Sequence, residues 1–237
     1  MRALLAETRT VPGGVATFHR MYTRLGCVGR PPMFIVDFHP YAGLTHTIRR
    51  RQDIVHARLS DLLHDAPLVI VESVAAILLS RLYRRRLPRE FRDAYREFAY
   101  ARETRLRMLN TRRHRGRRIA ERPAGSAHDL ARLFDKLNGE YFDGALPRPR
   151  LGWSTRPWRS MLGCFDPALE QIVLSCDLDK ERVPAYVVEY VLYHEMLHLK
   201  HPLKFARCRL ESHSPQFRAE EKRYVDFQRA RKFLGKH

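Results

Sequence analysis

Cysteine is scarce in this 237-residue chain, and the four present, Cys27, Cys164, Cys176 and Cys208, are scattered with no C-x-x-C pair. That excludes a disulfide framework and a cysteine-based zinc ribbon. It suits a reducing compartment, so the cytoplasm is the expected location. Long hydrophobic runs are lacking too. The longest, Leu68 to Ser80, contains Glu72 and falls short of the roughly 20 residues that span a bilayer, so it reads as a buried helix. Met1 to Gly13 carries two arginines and a glutamate but no sustained apolar core, which argues against a secretion signal. Acidic residues are outnumbered, with 26 Asp and Glu against 44 Lys and Arg, for a formal net charge of +18. Such a surface attracts nucleic acid, anionic membranes or acidic proteins, and charge alone does not choose among them. A hydrophobic fraction of 44% is enough for one large or two modest cores, which excludes a disordered tail.

What is present is a pentapeptide, His194-Glu195-Met196-Leu197-His198, that reads H-E-x-x-H. On a helix, histidines four apart present both imidazoles on one face at zinc-ligand spacing. The glutamate between them stands beside the open coordination position, where a carboxylate can take a proton from a metal-bound water. The flanking residues, Tyr186 to Leu199, are apolar nearly all round, the pattern of a buried helix. Pro184 fits its first turn and Pro202 ends it. Imidazoles and a carboxylate midway along such a helix are costly to desolvate unless a metal or partners satisfy them. A catalytic zinc needs a third protein ligand. His213, 15 residues after His198, is the first choice, because Ser214 is a good N-cap and Pro215 a good first helical residue, so His213 precedes a new helix that can fold back. Glu211, Glu220 and Glu221 are carboxylate alternatives. His201 lies about 10 Å along the helix from His194, too far to share one ion, and reads as a rim residue.

These residues resemble the SprT-like zinc metallopeptidases, a family that includes Spartan-type proteases, and the related YgjP-like enzymes. The resemblance runs from about Leu130 to Tyr224. It takes in Leu133-Phe134-Asp135-Lys136-Leu137-Asn138, Gly144-Ala145-Leu146-Pro147, Leu151-Gly152-Trp153-Ser154, Leu162-Gly163-Cys164-Phe165, Ile172-Val173-Leu174-Ser175, the H-E-x-x-H helix and His213-Ser214-Pro215-Gln216-Phe217. It implies one zinc per chain on His194, His198 and His213, Glu195 as the catalytic glutamate, and hydrolysis of peptide bonds in protein substrates by a zinc metalloendopeptidase. The implied fold class is α+β, a zincin-like domain whose H-E-x-x-H helix packs on a small antiparallel sheet. The resemblance does not extend to the long tails of Spartan-like proteins, so crosslink repair is not expected to carry over.

The residues themselves give three short strands here, Leu151 to Ser154, Met161 to Phe165 and Gln171 to Leu178. Ile172 to Cys176 is the expected edge along which a substrate peptide adds. Tyr193, Arg218 and Tyr224 are candidates for oxyanion support. The organisation expected is an α+β unit over residues 1–102, an arginine-rich connector over 103–126 and the metallopeptidase domain over 127–237. In the first unit, Phe34 to Phe38, Leu44 to Arg51 and Ile54 to Leu59 read as strands, and Leu68 to Tyr83 and Arg89 to Ala101 as helices. Its histidines, His39, His46, His56 and His64, show no metal spacing. Arg49-Arg50-Arg51, Arg84-Arg85-Arg86 and the connector concentrate the charge in a form suited to phosphate. The reading from a different class is therefore a zinc-stabilised nucleic-acid-binding protein without peptidase activity.

Overall fold

The computed structural model describes residues 10–119, 121–201, 204–206, 209–211 and 213–235, with no side chains from 202 to 212. It divides into two compact units, Met1–Gly116 and Arg117–His237. Both mix helices with small sheets. Among the described residues no helix is long and apolar enough to cross a membrane.

The first unit begins with α1 (Gly14–Arg24), followed by β1 (Met33–His39), β2 (Thr47–Arg51) and β3 (Ile54–Ser60). The strand order is β1-β3-β2, with β1 parallel and β2 antiparallel to β3. Alternation sends Phe34, Val36, Phe38, Val55, Ala57 and Leu59 into the core against α1 and α2 (Leu68–Leu82). Ser60 caps a single 3₁₀ turn, Asp61–Leu63, by accepting from Leu62 N–H, and Pro67 precedes α2. Then come α3 (Arg89–Tyr100) and α4 (Arg102–Arg115).

That last helix occupies the first half of the expected connector. Residues 102–115 contain no glycine or proline, their arginines are good helix formers, and Arg112 to Arg115 sit in the last turn where the helix dipole favours cations. The second half is tied to a sheet. Arg122 bridges Gly152, Ile119 N–H donates to Gln171 Oε1 at 3.1 Å, and Trp153 Nε1 donates to Pro123 O at 3.2 Å. Residues 103–126 therefore do not run as one loop.

The second unit opens with α5 (Leu130–Phe142), whose N-cap Asp129 accepts from Ala131 and Arg132 N–H. Strands β4 (Arg150–Trp153), β5 (Gly163–Asp166) and β6 (Gln171–Leu174) form a sheet of order β4-β6-β5. It is mixed rather than antiparallel, since β4 runs parallel to β6 and only β5 is antiparallel. The apolar alternation that marks a strand does not reveal its direction relative to a neighbour. Strand β6 also stops at Leu174, because Ser175 accepts from Asp177 N–H and turns the chain into a 3₁₀ turn, Cys176–Leu178. Helix α6 (Ala185–Lys200) follows Pro184, and Pro202 lies outside the described residues. A short hairpin, β7 (Lys204–Ala206) and β8 (Arg209–Glu211), leads to α7 (Pro215–Glu221) and α8 (Phe227–Leu234). The core beneath α6 gathers Phe134, Leu151, Ile172, Leu174, Val188 and Leu192.

Candidate metal centre

Helix α6 is buried on most of its circumference, so its polar residues face the core unless something meets them. His194 and His198 lie on one face, with ring centroids 5.2 Å apart. His213 arrives from the next helix start. Ser214 is the N-cap of α7, accepting from Phe217 N–H, and Pro215 occupies the first helical position, so the chain turns and returns the His213 ring to within 4.9 Å of His194 and 5.1 Å of His198. One ligand atom from each of the three imidazoles falls within 4.8 Å of the others. Phe217, fully buried, packs its ring 4.7 to 5.1 Å from all three.

The hydrogen bonds around these rings decide which nitrogens face inward. His194 Nδ1 lies 2.8 Å from Glu221 Oε1, which also accepts from Tyr190 OH at 2.9 Å. A carboxylate needs a donor, so Nδ1 of His194 carries a proton and Nε2 is the nitrogen turned toward His213. That Nε2 sits 3.1 Å from Nε2 of His213. Tetrahedral zinc with bonds of about 2.0–2.1 Å spaces its ligand nitrogens about 3.3 Å apart, so the pair is close to the separation a shared ion imposes. Burial, reinforced by the neighbouring imidazoles His194 and His213, pushes His198 down to about 4. Burial and His194 lower His213 as well, with Arg218 adding to the effect. Neutral imidazoles are the ligand form. The donor set can hold a metal ion. For Glu221, burial by itself raises the carboxyl, yet the bonds from His194 and Tyr190 hold it below its ordinary value.

Glu195 points elsewhere. Its carboxylate accepts from Phe165 N–H on β5, and burial raises its pKa against the opposing influence of His194. It is only 6% exposed. Room for it comes from Gly163, where a Cβ would lie 2.7 Å from Glu195 Oε1 and 2.8 Å from its Cγ. The glycine is needed for close approach, not for an unusual backbone angle.

The expected edge strand is corrected. Ile172 to Leu174 belongs to β6, the middle strand, paired on both sides, and Ser175 and Cys176 have left the sheet. The free edge next to Glu195 is that of β5. Ser175 N–H donates to Leu162 O at 2.8 Å, so antiparallel alternation turns the amides of Cys164 and Asp166 toward β6 and those of Gly163 and Phe165 outward. All four residues of Gln171–Leu174 are buried, and burial on both faces is what a central strand shows.

Other candidates separate clearly. Tyr193, pushed up to about 12 by burial, donates to Glu220 O at 2.8 Å, and Tyr224 donates to Tyr186 O at 2.9 Å, so both serve packing. Glu220 pairs with Lys200 at 2.7 Å and lies 3.1 Å from His201 Nε2, on the rim. The Glu211 side chain lies outside the described residues. Glu221, an alternative ligand in the sequence reading, meets His194 Nδ1 at 2.8 Å. Gly163 and Tyr190 were not singled out for a role, and a glycine opposite a strand that faces the metal helix is the signal that marks the first.

Residues 130–231 match the family model of the SprT-like family. No curated protein and no solved structure matches the chain.

Proposed function

We propose that the SprT-like segment of this chain is a zinc metalloendopeptidase with one zinc held by His194, His198 and His213 and with Glu195 as its general base. The observation that carries this reading is the buried Glu195 carboxylate, held by the Phe165 N–H at the β5 edge and within the electrostatic reach of His194, on the helix that carries two of the three converging imidazoles. When bound, zinc supplies Lewis acidity, lowering the pKa of water and polarising a carbonyl.

The protein's own groups do the rest. An extended peptide adds to the outward edge of β5 at Gly163, while the neighbouring Phe165 N–H is held by Glu195, which places a scissile bond alongside that carboxylate. Glu195 takes a proton from the attacking water and delivers it to the departing amine. Its raised pKa suits it to both halves of that transfer, because a weakly acidic carboxyl accepts more readily. The Phe165 N–H fixes the carboxylate's direction, and Glu221 fixes the His194 ring. The rival reading, a structural metal in a nucleic-acid-binding protein, gives no reason to bury a carboxylate beside the imidazoles. The scarcity of cysteine favours a reducing compartment such as the cytoplasm.

The test is Glu195→Gln, measured for zinc content and for cleavage of an unfolded protein substrate. Retained zinc with hydrolysis reduced by about 10²-fold or more supports the reading. Equal cleavage by parent and variant, or none by zinc-loaded parent across a panel of unfolded proteins, contradicts it.

A further inference from the structure

The two units repeat one another. Each runs helix, three strands, 3₁₀ turn, long helix, and in each sheet the first strand is parallel and the second antiparallel to a central third. The local chemistry repeats as well. Ser60 and Ser175 both cap the 3₁₀ turn by accepting from the amide two residues on, at 3.4 Å in each case. Pro67 and Pro184 both precede the long helix and accept its first backbone bond, at 2.8 and 2.9 Å. In the leading helices the fifth residue is a buried phenylalanine, Phe18 or Phe134, and the seventh is a cation, Arg20 or Lys136. Each cation pairs at 2.9 Å with the glutamate at the fifth position of the long helix, Glu72 or Glu189. A third-position phenylalanine, Phe91 or Phe217, is buried in the helix after that. Two unrelated α+β units have no reason to share an ion pair at matching positions.

Counting from these anchors, His194, Glu195 and His198 fall on Ile77, Leu78 and Arg81, and His213 falls on Leu87. None can serve as an imidazole ligand or a base. Position 46, one step beyond the Thr47–Arg58 pair, takes the place of Gly163. There the His46 ring accepts from Ser60 N–H at 3.1 Å and meets Tyr95 OH at 3.0 Å, and Tyr95 takes the place of Glu221. A side chain thus fills the space that Gly163 keeps open.

The counterpart of β5 survives. Strand β2 is the free edge of its sheet, and it carries Arg49, Arg50 and Arg51, all exposed. Arg49 and Arg51, opposite His56 and Ile54, share the outward face, while Arg50 lies over the Tyr83 ring at 5.8 Å. None of the ion pairs among the described residues uses Arg49 or Arg51. A strand added beside β2 brings its alternate residues next to these two arginines, so glutamates or aspartates at every second position complement them. Among the strand residues on the outward face of this sheet, Met33, Ile35 and Ile54 are apolar, Asp37 is engaged by His56, and none is Phe, Tyr or Trp; the tyrosine that meets this face, Tyr41, is engaged by Thr47 Oγ1 and the His39 ring, which favours a peptide over stacked bases of single-stranded nucleic acid. We propose that the first unit is a second copy of the second unit's fold, with the metal centre replaced by packing, and that its β2 edge holds an extended acidic peptide without cleaving it. This rests on the reading that β5 is the substrate edge.

The experiment uses full-length Glu195→Gln protein and a fluorescein-labelled ten-residue peptide alternating glutamate and threonine, followed by anisotropy and by hydrogen exchange. Expected are new protection of residues 47–51 and a roughly tenfold loss of affinity in Arg49→Glu/Arg51→Glu. The same charge reversal at Arg113 and Arg118 is expected to cost under about threefold. Equal losses in the two double variants, protection confined to 163–166, or stronger competition by single-stranded oligothymidylate than by unlabelled peptide each overturn the proposal. Protection at 47–51 needs no substitution on β2, so misfolding of a variant cannot imitate it. Binding at β2 that persists in His213→Ala, with no hydrolysis by the parent, separates failure of the peptidase reading from failure of this one.

Discussion

Helices α2 and α6 start alike, after a proline, and hold a glutamate to a cation on the preceding helix at the same 2.9 Å. Five residues later they diverge. α2 continues with Ile77, Leu78 and Arg81 where α6 has His194, Glu195 and His198. One scaffold thus tolerates either an apolar interior or a cluster of imidazoles with a buried carboxylate. The scaffold's stability therefore does not come from the site. In α6 the site is a cost, met by the Phe165 amide, by Glu221 and by whatever ion the imidazoles hold.

Exchanging the two solutions gives the largest expected effect. Leu78→Glu buries a carboxylate where the His46 side chain fills the space that Gly163 keeps open and is expected to lower stability by about 3 kcal/mol or more, while Glu195→Leu removes a buried carboxylate and leaves stability unchanged or raised by about 1 kcal/mol. Denaturant midpoints of the two variants check this, and equal effects would break the comparison. Next is Gly163→Ala. The new methyl group displaces Glu195, so hydrolysis is expected to fall about 10²-fold with zinc content unchanged. Loss of zinc in parallel would mean that the glycine serves the fold and not the base.

Glu221→Gln keeps shape but weakens the acceptor for His194 Nδ1, and zinc affinity measured by chelator competition is expected to fall about tenfold. A pH-dependent effect belongs to His46. Because Ser60 N–H donates to Nδ1, the ring is neutral with its proton on Nε2, and burial lowers its pKa from 6.5 to about 4. As pH falls below 6.5 the unfolded chain gains a proton that the folded one refuses until about 4, so stability drops across that window and is level below it. The expected loss is about 3 kcal/mol. His46→Gln, which keeps an acceptor and a donor but does not titrate, should flatten the profile, read from hydrogen exchange of β3 amides at pH 4 to 7.

Much of this site is legible in the sequence because its signals are local. The H-E-x-x-H spacing places two imidazoles on one face, and Ser214-Pro215 announces the helix start that brings His213 back. What depends on neighbours in space is not legible. Gln171 to Leu174 reads as a strand, but its central place between β4 and β5 is a matter of pairing, which periodicity does not encode. Glu221 has the chemistry of a ligand, and only its distance from His194 Nδ1 places it as a hydrogen-bond partner of that ring. The arginines of 102–115 look like a solvated run because charge hides helix propensity when no apolar stripe accompanies it. The repeat escapes because its shared residues, such as Phe18 and Phe134 or Glu72 and Glu189, are isolated anchors with different side chains between them.

Zinc content of the full-length chain, purified without chelator and weighed by native mass spectrometry beside His213→Ala, tests the central claim most directly. The account predicts about one zinc per parent chain and a clear loss in the variant, since His194, His198 and His213 are the group among the described residues that could hold an ion. No zinc in supplemented parent, two ions per chain, or zinc fully retained without His213 would contradict it.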